Sequence, residues 1–151
     1  MGSRVEDYIN YTFYNKTSKY DVSSVERNFF RKEAVNLFKS NWLFGVGGNG
    51  FVTHMRNIGH SHVAYCHNNY LELLCTLGVI GFSIFYSFIL KIFFQLLKKI
   101  KSNHFNIMLL ALVICMLISD YGGVSYYEQF NMILLSVIYS YIFVNRKEET
   151  I

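Results

Sequence analysis

The chain of 151 residues contains no proline and few charged side chains. Only 16% of its residues are charged, whereas 52% are hydrophobic and 18% are aromatic. A soluble domain of this length carries more charge, so the composition argues against one. The formal net charge of +4 is modest and dispersed along the chain. It forms no basic stripe, and we therefore predict no nucleic-acid partner.

Metal ligands in a recognisable arrangement are also missing. The three cysteines form neither a C-x-x-C pair nor the pattern of a disulfide framework. Four of the five histidines fall between positions 54 and 67, but no acidic residue or paired cysteine lies among them. Because their spacing matches no zinc site, we predict no metal and no cofactor.

The N-terminal part lacks a long apolar run. Residues 1–22 are polar and tyrosine-rich, without the apolar core of a cleavable signal peptide, and we predict a polar external segment there. An amphipathic helix is predicted next, with Ser23 or Ser24 as its N-cap. Its apolar positions recur at helical spacing: Val25, Phe29, Phe30, Ala34, Leu37 and Phe38.

This helix carries too much charge to cross a bilayer, so it is predicted to lie against the membrane surface or the protein body. Arg27 and Arg31 lie one turn apart and share a face. The pair fits a binding function, and it fits equally well a simple solvated helix face.

A glycine-rich segment at residues 45–50 satisfies the G-x-G-x-x-G dinucleotide fingerprint. That fingerprint requires a buried strand before it and a helix after it, but here the preceding segment is predicted to be a helix. We therefore predict a tight glycine turn that lets the backbone fold back closely. Residues 51–66 are predicted to be a loop.

Three apolar blocks follow, and we predict transmembrane helices over residues 73–97, 105–121 and 130–144. A buried helical hairpin is the alternative for the last two. The cations at positions 98–101 and 146–147 fall on one side of this arrangement, which the positive-inside rule makes cytoplasmic. Residues 23–72 then form an external loop, and residues 145–151 form a cytoplasmic tail.

The predicted fold is an all-α polytopic membrane bundle, in which the external loop with its amphipathic helix precedes about three transmembrane helices. No upstream span or signal delivers the external part across the membrane. The chain is therefore expected to be the C-terminal portion of a larger polytopic protein.

A polar cluster, Cys66-His67-Asn68-Asn69, lies shortly before the first apolar block. An imidazole titrates near neutrality and suits a general base, although lone histidines at helix starts usually have structural roles. The two asparagines could fix the imidazole tautomer or bind a substrate, or they could simply cap the following helix.

An ordered set of motifs surrounds this cluster. It runs from Arg27 to Ala34, through Trp42-Leu43-Phe44-Gly45-Val46-Gly47 and Gly50-Phe51, to His67-Asn68-x-x-Leu71 with Gly78 and Gly81. This order resembles that of the O-antigen ligase and polysaccharide polymerase family of bacterial membrane proteins. The resemblance covers about residues 23–97.

The resemblance implies glycosyl transfer on the outer face of the cytoplasmic membrane, without a metal or a nucleotide sugar. A glycan would pass from an undecaprenyl-diphosphate carrier to a hydroxyl of a sugar acceptor. The implied partners are the bilayer, the carrier-linked glycan, the glycan acceptor and other polysaccharide-assembly proteins. Polymerase is favoured over ligase because nothing indicates recognition of lipid A.

The resemblance also implies the site residues. The family's catalytic histidine corresponds to His67, and the arginine of its large loop corresponds to Arg27. The residues expected to bind substrate are Arg31, Arg56, Asn68 and Asn69. Arginine suits a diphosphate leaving group because its planar guanidinium is always charged.

The alternative from another functional class is a non-catalytic membrane component of a polysaccharide export or transport system. Ionisable residues inside a membrane usually mark transport paths. Within the first predicted span, residues 73–97, Lys91 is the one charged residue, and it lies near the end of that span, which weakens the transport interpretation.

Overall fold

The structure, a computed structural model, describes residues 22–60, 65–101, 103–126 and 128–148. Within these ranges it contains five α-helices and no strand, which confirms the all-α prediction. The helices are α1 (Val22–Ser40), α2 (Gly50–Asn57), α3 (Asn69–Lys98), α4 (His104–Ser119) and α5 (Gln129–Glu148). The predicted polar segment lies outside the described residues except for Val22, and the last three residues of the predicted tail also lie outside them.

In the part of the chain that the structure describes, α3 is the one helix long and apolar enough to cross a membrane. The helix α4 and residues Gln129–Val144 of α5 are apolar but shorter. One membrane span thus meets the criteria of length and composition, and the other two spans stay predictions.

The main core forms where α3 packs against α4 and α5. Its innermost side chains are Leu73, Ile89, Ile92 and Leu96 of α3, Val113 of α4 and Leu135 and Ile138 of α5. Large apolar side chains also cover the outside of this bundle, including Ile84, Ile118, Phe130 and Ile133. Apolar surface on both faces is typical of helices that are buried in protein on one side and in lipid on the other.

A second, smaller core joins α1 and α2 to the start of α3. It consists of Phe30 and Ala34 of α1, Phe51 and Met55 of α2, and Cys66 and Cys75. The prediction of a loop over residues 51–66 is therefore wrong for its first half. Phe51 and Met55 lie one helical turn apart and are completely buried, which stabilises a helix of only eight residues.

The start of α1 also differs from the prediction. The helix already includes Val22, so Ser23 and Ser24 lie inside it and neither is its N-cap. A short polar contact ties α1 to α2, since Nε2 of His54 lies 2.9 Å from Oε2 of the buried Glu33.

The helix α3 is broken at Gly78, where φ is 65° and ψ is −171°. Essentially only glycine adopts this region of backbone conformation. Residues 42–47 lie beside the break and replace the helical hydrogen bonds. The amides of Val46 and Gly47 donate to the carbonyls of Cys75 and Thr76 over 2.9 and 2.8 Å. In the other direction, the amides of Val79 and Ile80 donate to the carbonyls of Trp42 and Leu43 over 2.9 and 3.3 Å.

Two glycines allow this close approach. A Cβ atom on Gly45 would lie 2.4 Å from the backbone of Thr76, and one on Gly78 would lie 2.3 Å from the carbonyl oxygen of Leu43. Gly45 and Gly47 have φ values of 71° and 85°, so the predicted tight glycine turn is confirmed. The element before this turn is the helix α1. A dinucleotide site would need a strand there, so the structure agrees with the prediction that this segment is not such a site.

The break divides α3 into two parts with different surroundings. Residues 79–98 rise by about 30 Å, which is close to the thickness of a bilayer's hydrocarbon core. The part before the break has its polar side chains Asn69, Glu72 and Thr76 buried within the protein. The start of α3 is therefore enclosed by protein, and the residues of the candidate site lie next to it.

Candidate active site

His67 lies immediately before α3, with a left-handed backbone at φ 52°. Histidine is one of the few residues enriched in this region. Its half-buried ring lies parallel to the ring of Phe30 on α1, with centroids 6.3 Å apart, and 4.2 Å from the ring of Tyr65. Aromatic neighbours thus set the orientation of the imidazole.

Hydrogen bonds hold the backbone around His67. The amide of Cys66 donates to Oε2 of Glu72 over 2.9 Å, and the Cys66 thiol donates to the carbonyl of Asn68 over 3.1 Å. Burial, together with the nearby Glu72 carboxylate, raises the pKa of this thiol. Cys66 therefore stays protonated and acts as a structural donor rather than as a nucleophile.

The charges around His67 favour its neutral form. Partial burial lowers the pKa of the imidazole, and the positive charges of Arg27 and Arg31 lower it further, while Glu26 opposes them. A pKa below the usual 6.5 leaves the ring neutral at pH 7. The neutral ring is the form that can accept a proton.

Arg31 ties α1 to two backbone segments. Its Nη2 donates to the carbonyl of His67 over 3.1 Å and lies 3.4 Å from the carbonyl of Tyr121. Its guanidinium lies over the Tyr121 ring, 5.4 Å from the centroid. The Nε of Arg31 is buried and has no hydrogen-bond partner among the described residues.

Arg27, one turn before Arg31, is exposed. It acts on His67 through its charge and is not hydrogen-bonded to any residue in the described ranges. The structure therefore brings together His67, Arg27 and Arg31, with one arginine holding the histidine backbone and the other open to a ligand.

Asn68 caps α3, because its Oδ1 accepts a hydrogen bond from the amide of Leu71 over 3.0 Å. Its Nδ2 donates to the carbonyl of Tyr121 over 3.2 Å. The side chain thus links the start of α3 to the segment after α4, which is the same segment that Arg31 contacts.

Asn69 is completely buried and uses all of its side-chain polar groups within the protein. Its Nδ2 donates to Oη of Tyr86 and to Oδ2 of Asp120, both over 3.2 Å. Its Oδ1 accepts from the amides of Ser125 and Tyr126 over 2.9 and 3.0 Å. These contacts fix the segment that carries Tyr121 against α3.

Asp120 is the centre of this buried network, and sequence reasoning did not assign it a function. Its carboxylate accepts hydrogen bonds from Asn69, from the Tyr86 hydroxyl over 3.0 Å and from the Ser125 hydroxyl. Its carbonyl accepts from the amide of Asn69 over 2.8 Å. In the sequence, the feature that could have indicated this function is the position of Asp120, an acidic residue at the end of a long apolar run.

Several residues were not given a role in the site beforehand. Glu26, Phe30 and Tyr65 act on or contact the His67 ring, while Glu72 and Tyr121 accept hydrogen bonds from the residues beside it. Arg56, which was singled out, is exposed on α2 and forms no side-chain hydrogen bond with the described residues. Within those residues, no group of three histidine, cysteine, aspartate or glutamate side chains could hold a metal ion; His62 lies outside them.

The profile of a protein family described as O-antigen ligase matches residues 2–86. This is more than half of the chain, and it includes both α1 with its arginines and the His67 segment. The chain belongs to the O-antigen ligase family. No curated protein and no solved structure matches it.

Membership in the O-antigen ligase family indicates the general type of reaction. The family is membrane-associated and belongs to polysaccharide biosynthesis, with ligase- or polymerase-type glycosyl transfer from a lipid-linked glycan. The exposed apolar surface of α3 agrees with a membrane location.

On the prediction that His67 is the general base, replacing Glu26 of this O-antigen ligase family member with glutamine should extend glycan transfer to lower pH. The Glu26 carboxylate raises the pKa of His67, so its removal should lower that pKa further. A base with a lower pKa stays neutral in more acidic solution, which shifts the acidic limb of the rate profile downward. The test is glycan transfer measured against pH.

The matched control is Arg27→Gln, which removes the opposite charge from the next position. Arg27 lowers the pKa of His67, so the acidic limb should move upward, whatever happens to the maximal rate. Shifts of both variants in the same direction would contradict the assignment of the limb to His67.

Proposed function

We propose that the protein is a membrane glycosyltransferase that joins undecaprenyl-diphosphate-linked oligosaccharide units on the outer face of the cytoplasmic membrane. The observation that supports this most directly is the half-buried His67, kept neutral by its surroundings beside two arginines of α1. A base next to a diphosphate-binding pair of cations is what this transfer needs.

In the proposed reaction, His67 accepts the proton of the acceptor hydroxyl as the hydroxyl oxygen attacks the anomeric carbon. The bond from that carbon to the diphosphate oxygen breaks, and undecaprenyl diphosphate leaves with the bonding electron pair. The proton on His67 then returns to solvent. Without a base, the attacking hydroxyl would have to lose its proton unaided; a positioned base typically contributes about 10²–10⁴-fold in rate.

The arginines stabilise the charge that gathers on the leaving diphosphate. Arg27 is exposed and its guanidinium forms no hydrogen bond with the described part of the chain, so we assign it the direct contact with the diphosphate. Arg31 already donates from Nη2 to the carbonyls of His67 and Tyr121, so it holds these two segments while its charge adds to that of Arg27. Arg31 therefore both positions His67 and adds positive charge.

The remaining predicted site residues take different parts in the proposal. Asn68 and Asn69 hold the His67 and Tyr121 segments in place, and Asn69 has no exposed surface for a sugar. Arg56 stays a predicted substrate contact on the exposed side of α2.

We further propose a multi-pass arrangement in which α3, α4 and α5 all enter the bilayer. The cations at residues 98–101 then lie on the cytoplasmic side by the positive-inside rule, and His67 lies on the external side. The polymerase reaction is favoured over ligation because no feature of the site indicates lipid A recognition.

Deleting the gene from its bacterium tests this function and separates it from the alternatives. A polymerase mutant should lack long polymer and accumulate single carrier-linked repeat units. A ligase mutant should instead accumulate long carrier-linked chains, and a mutant of an export component should retain finished polymer inside the envelope. Size analysis of carrier-linked and surface glycans distinguishes the three.

The control for the deletion is the wild-type gene returned on a plasmid, which should restore long polymer. An unchanged size distribution of every surface glycan in the deletion strain would contradict the proposal.

A further inference from the structure

A groove of about 520 Å³ runs along the outer face of α1. Its lining residues recur every three or four positions, as neighbours on one helix face do: Asn28, Arg31, Lys32, Val35, Asn36 and Lys39. From the first to the last of these, the helix rises by about 16 Å. We call this feature the α1 groove.

The lining of the α1 groove is basic and polar. Three of the six residues are cationic, two are amides, and none is acidic. The two acidic residues of α1 do not line it, and one of them, Glu33, is buried and hydrogen-bonded to His54 and Asn36. The Glu33 carboxylate thus reaches the groove only through the amide of Asn36, and no carboxylate of α1 lies in the lining itself.

Arg31 connects the groove to the candidate active site. It lines the groove, and its Nη2 also donates to the carbonyl of His67 over 3.1 Å. A chain lying in the groove thus has one end beside the catalytic base. The other end lies near Lys39, where α1 ends and the glycine-rich segment begins soon after.

We propose that the α1 groove binds an acidic stretch of the glycan, made of sugars that carry carboxylate or phosphate groups. This inference rests on the proposed function and adds to it the substrate class. Lysine and arginine pair with carboxylates and phosphates, while amides bond the hydroxyl groups of sugars. Lys32 and Lys39 form no ion pair with the described residues, and a neutral glycan would offer them no opposite charge.

A lipid surface is a poorer match for the same groove. Helices that lie in a bilayer surface insert an apolar face beside their basic one. Two apolar residues of α1, Phe30 and Ala34, are instead buried against α2 and the start of α3, and the partly buried Phe29 and Leu37 pack against the same core. Val35 is the one apolar residue of the groove lining.

Direct binding to the full-length protein in phosphatidylcholine nanodiscs tests the inference. The probes are an oligogalacturonate hexamer, maltohexaose as its neutral counterpart and glycerol phosphate as a lipid head group. The oligogalacturonate should bind best, and the variant Lys32→Gln/Lys39→Gln should bind it about two- to tenfold more weakly. Added salt should weaken binding to the wild-type protein more than to the variant.

The control variant Lys98→Gln/Lys101→Gln carries the same change of charge at the far end of α3 and should bind as the wild type does. Absence of oligogalacturonate binding, equal binding by the groove variant, or equally tight binding of maltohexaose would overturn the inference. Glycerol phosphate binding that equals oligogalacturonate binding and falls equally in the groove variant would assign the groove to lipid head groups, which also overturns it.

These results are separate from the test of the proposed function. If gene deletion removes long polymer but the groove variant binds oligogalacturonate normally, the function stands and the substrate class is wrong. If binding follows the expectation but deletion changes no surface glycan, the proposed transfer fails instead.

Discussion

Replacing His67 with alanine should lower the rate of glycan transfer by about 10²–10⁴-fold, the usual contribution of a general base. The ring lies beside those of Phe30 and Tyr65, and burial together with the charges of Arg27 and Arg31 lowers its pKa, so that it is neutral and can accept a proton. The measurement is the rate of carrier release from a carrier-linked oligosaccharide by the purified protein.

Alanine also disturbs the backbone, because His67 has a positive φ of 52°. The variant His67→Asn separates the two effects, since asparagine tolerates this conformation but cannot act as a base near neutral pH. It should lose as much activity as alanine while unfolding at the wild-type temperature. The exposed His104→Asn serves as a control and should transfer normally; a His67→Asn variant as active as that control would exclude the proposed base.

Replacing Gly78 with alanine should destabilise the protein by at least about 3 kcal/mol. Two costs combine at this position. The backbone lies at φ 65° and ψ −171°, a conformation that alanine avoids, and the new Cβ would meet backbone atoms of Leu43 and Phe44 at 2.3–2.6 Å. Neither contact can be relieved by a side-chain rotation. The expected result is a lower unfolding temperature in nanodiscs together with loss of transfer.

Two other glycines of the same region make a graded control series. Gly47 has a φ of 85° with open space around it, so Gly47→Ala should cost only about 1–2 kcal/mol. Gly48 has neither a positive φ nor a neighbour within 4 Å, and Gly48→Ala should change stability by no more than about 0.5 kcal/mol. Equal stability of all three variants would mean that residues 42–47 do not occupy the break.

Local patterns in the sequence account for the helical fold and for the glycine turn. The apolar spacing of α1 and the length of the block that begins α3 are signals within single segments. The same reasoning missed α2, because two buried residues one turn apart are too few to distinguish a short helix from a loop. Whether these residues are buried depends on α1 and α3, which a local pattern does not contain.

The parts of the site that were not predicted depend on contacts between distant segments. Asn69 and Asp120 are 51 positions apart, and nothing near either residue indicates that they meet. The start of α3 offered two interpretations of its asparagines, as caps or as ligands, because both functions use the same side-chain groups. Gly78 was similarly ambiguous, since glycines inside an apolar helix are compatible with an unbroken helix, as Gly81 three positions later shows.

The break in α3 also bears on how the protein is made. Residues 42–47 leave the ribosome before α3, whose freed amides and carbonyls they later satisfy. Residues 79–98 alone match the thickness of the hydrocarbon core, so the break at Gly78 lies at its edge, where water can still hydrogen-bond the freed groups. We therefore expect that α3 can enter the bilayer first and that docking of residues 42–47 follows as a separate, later step of biogenesis.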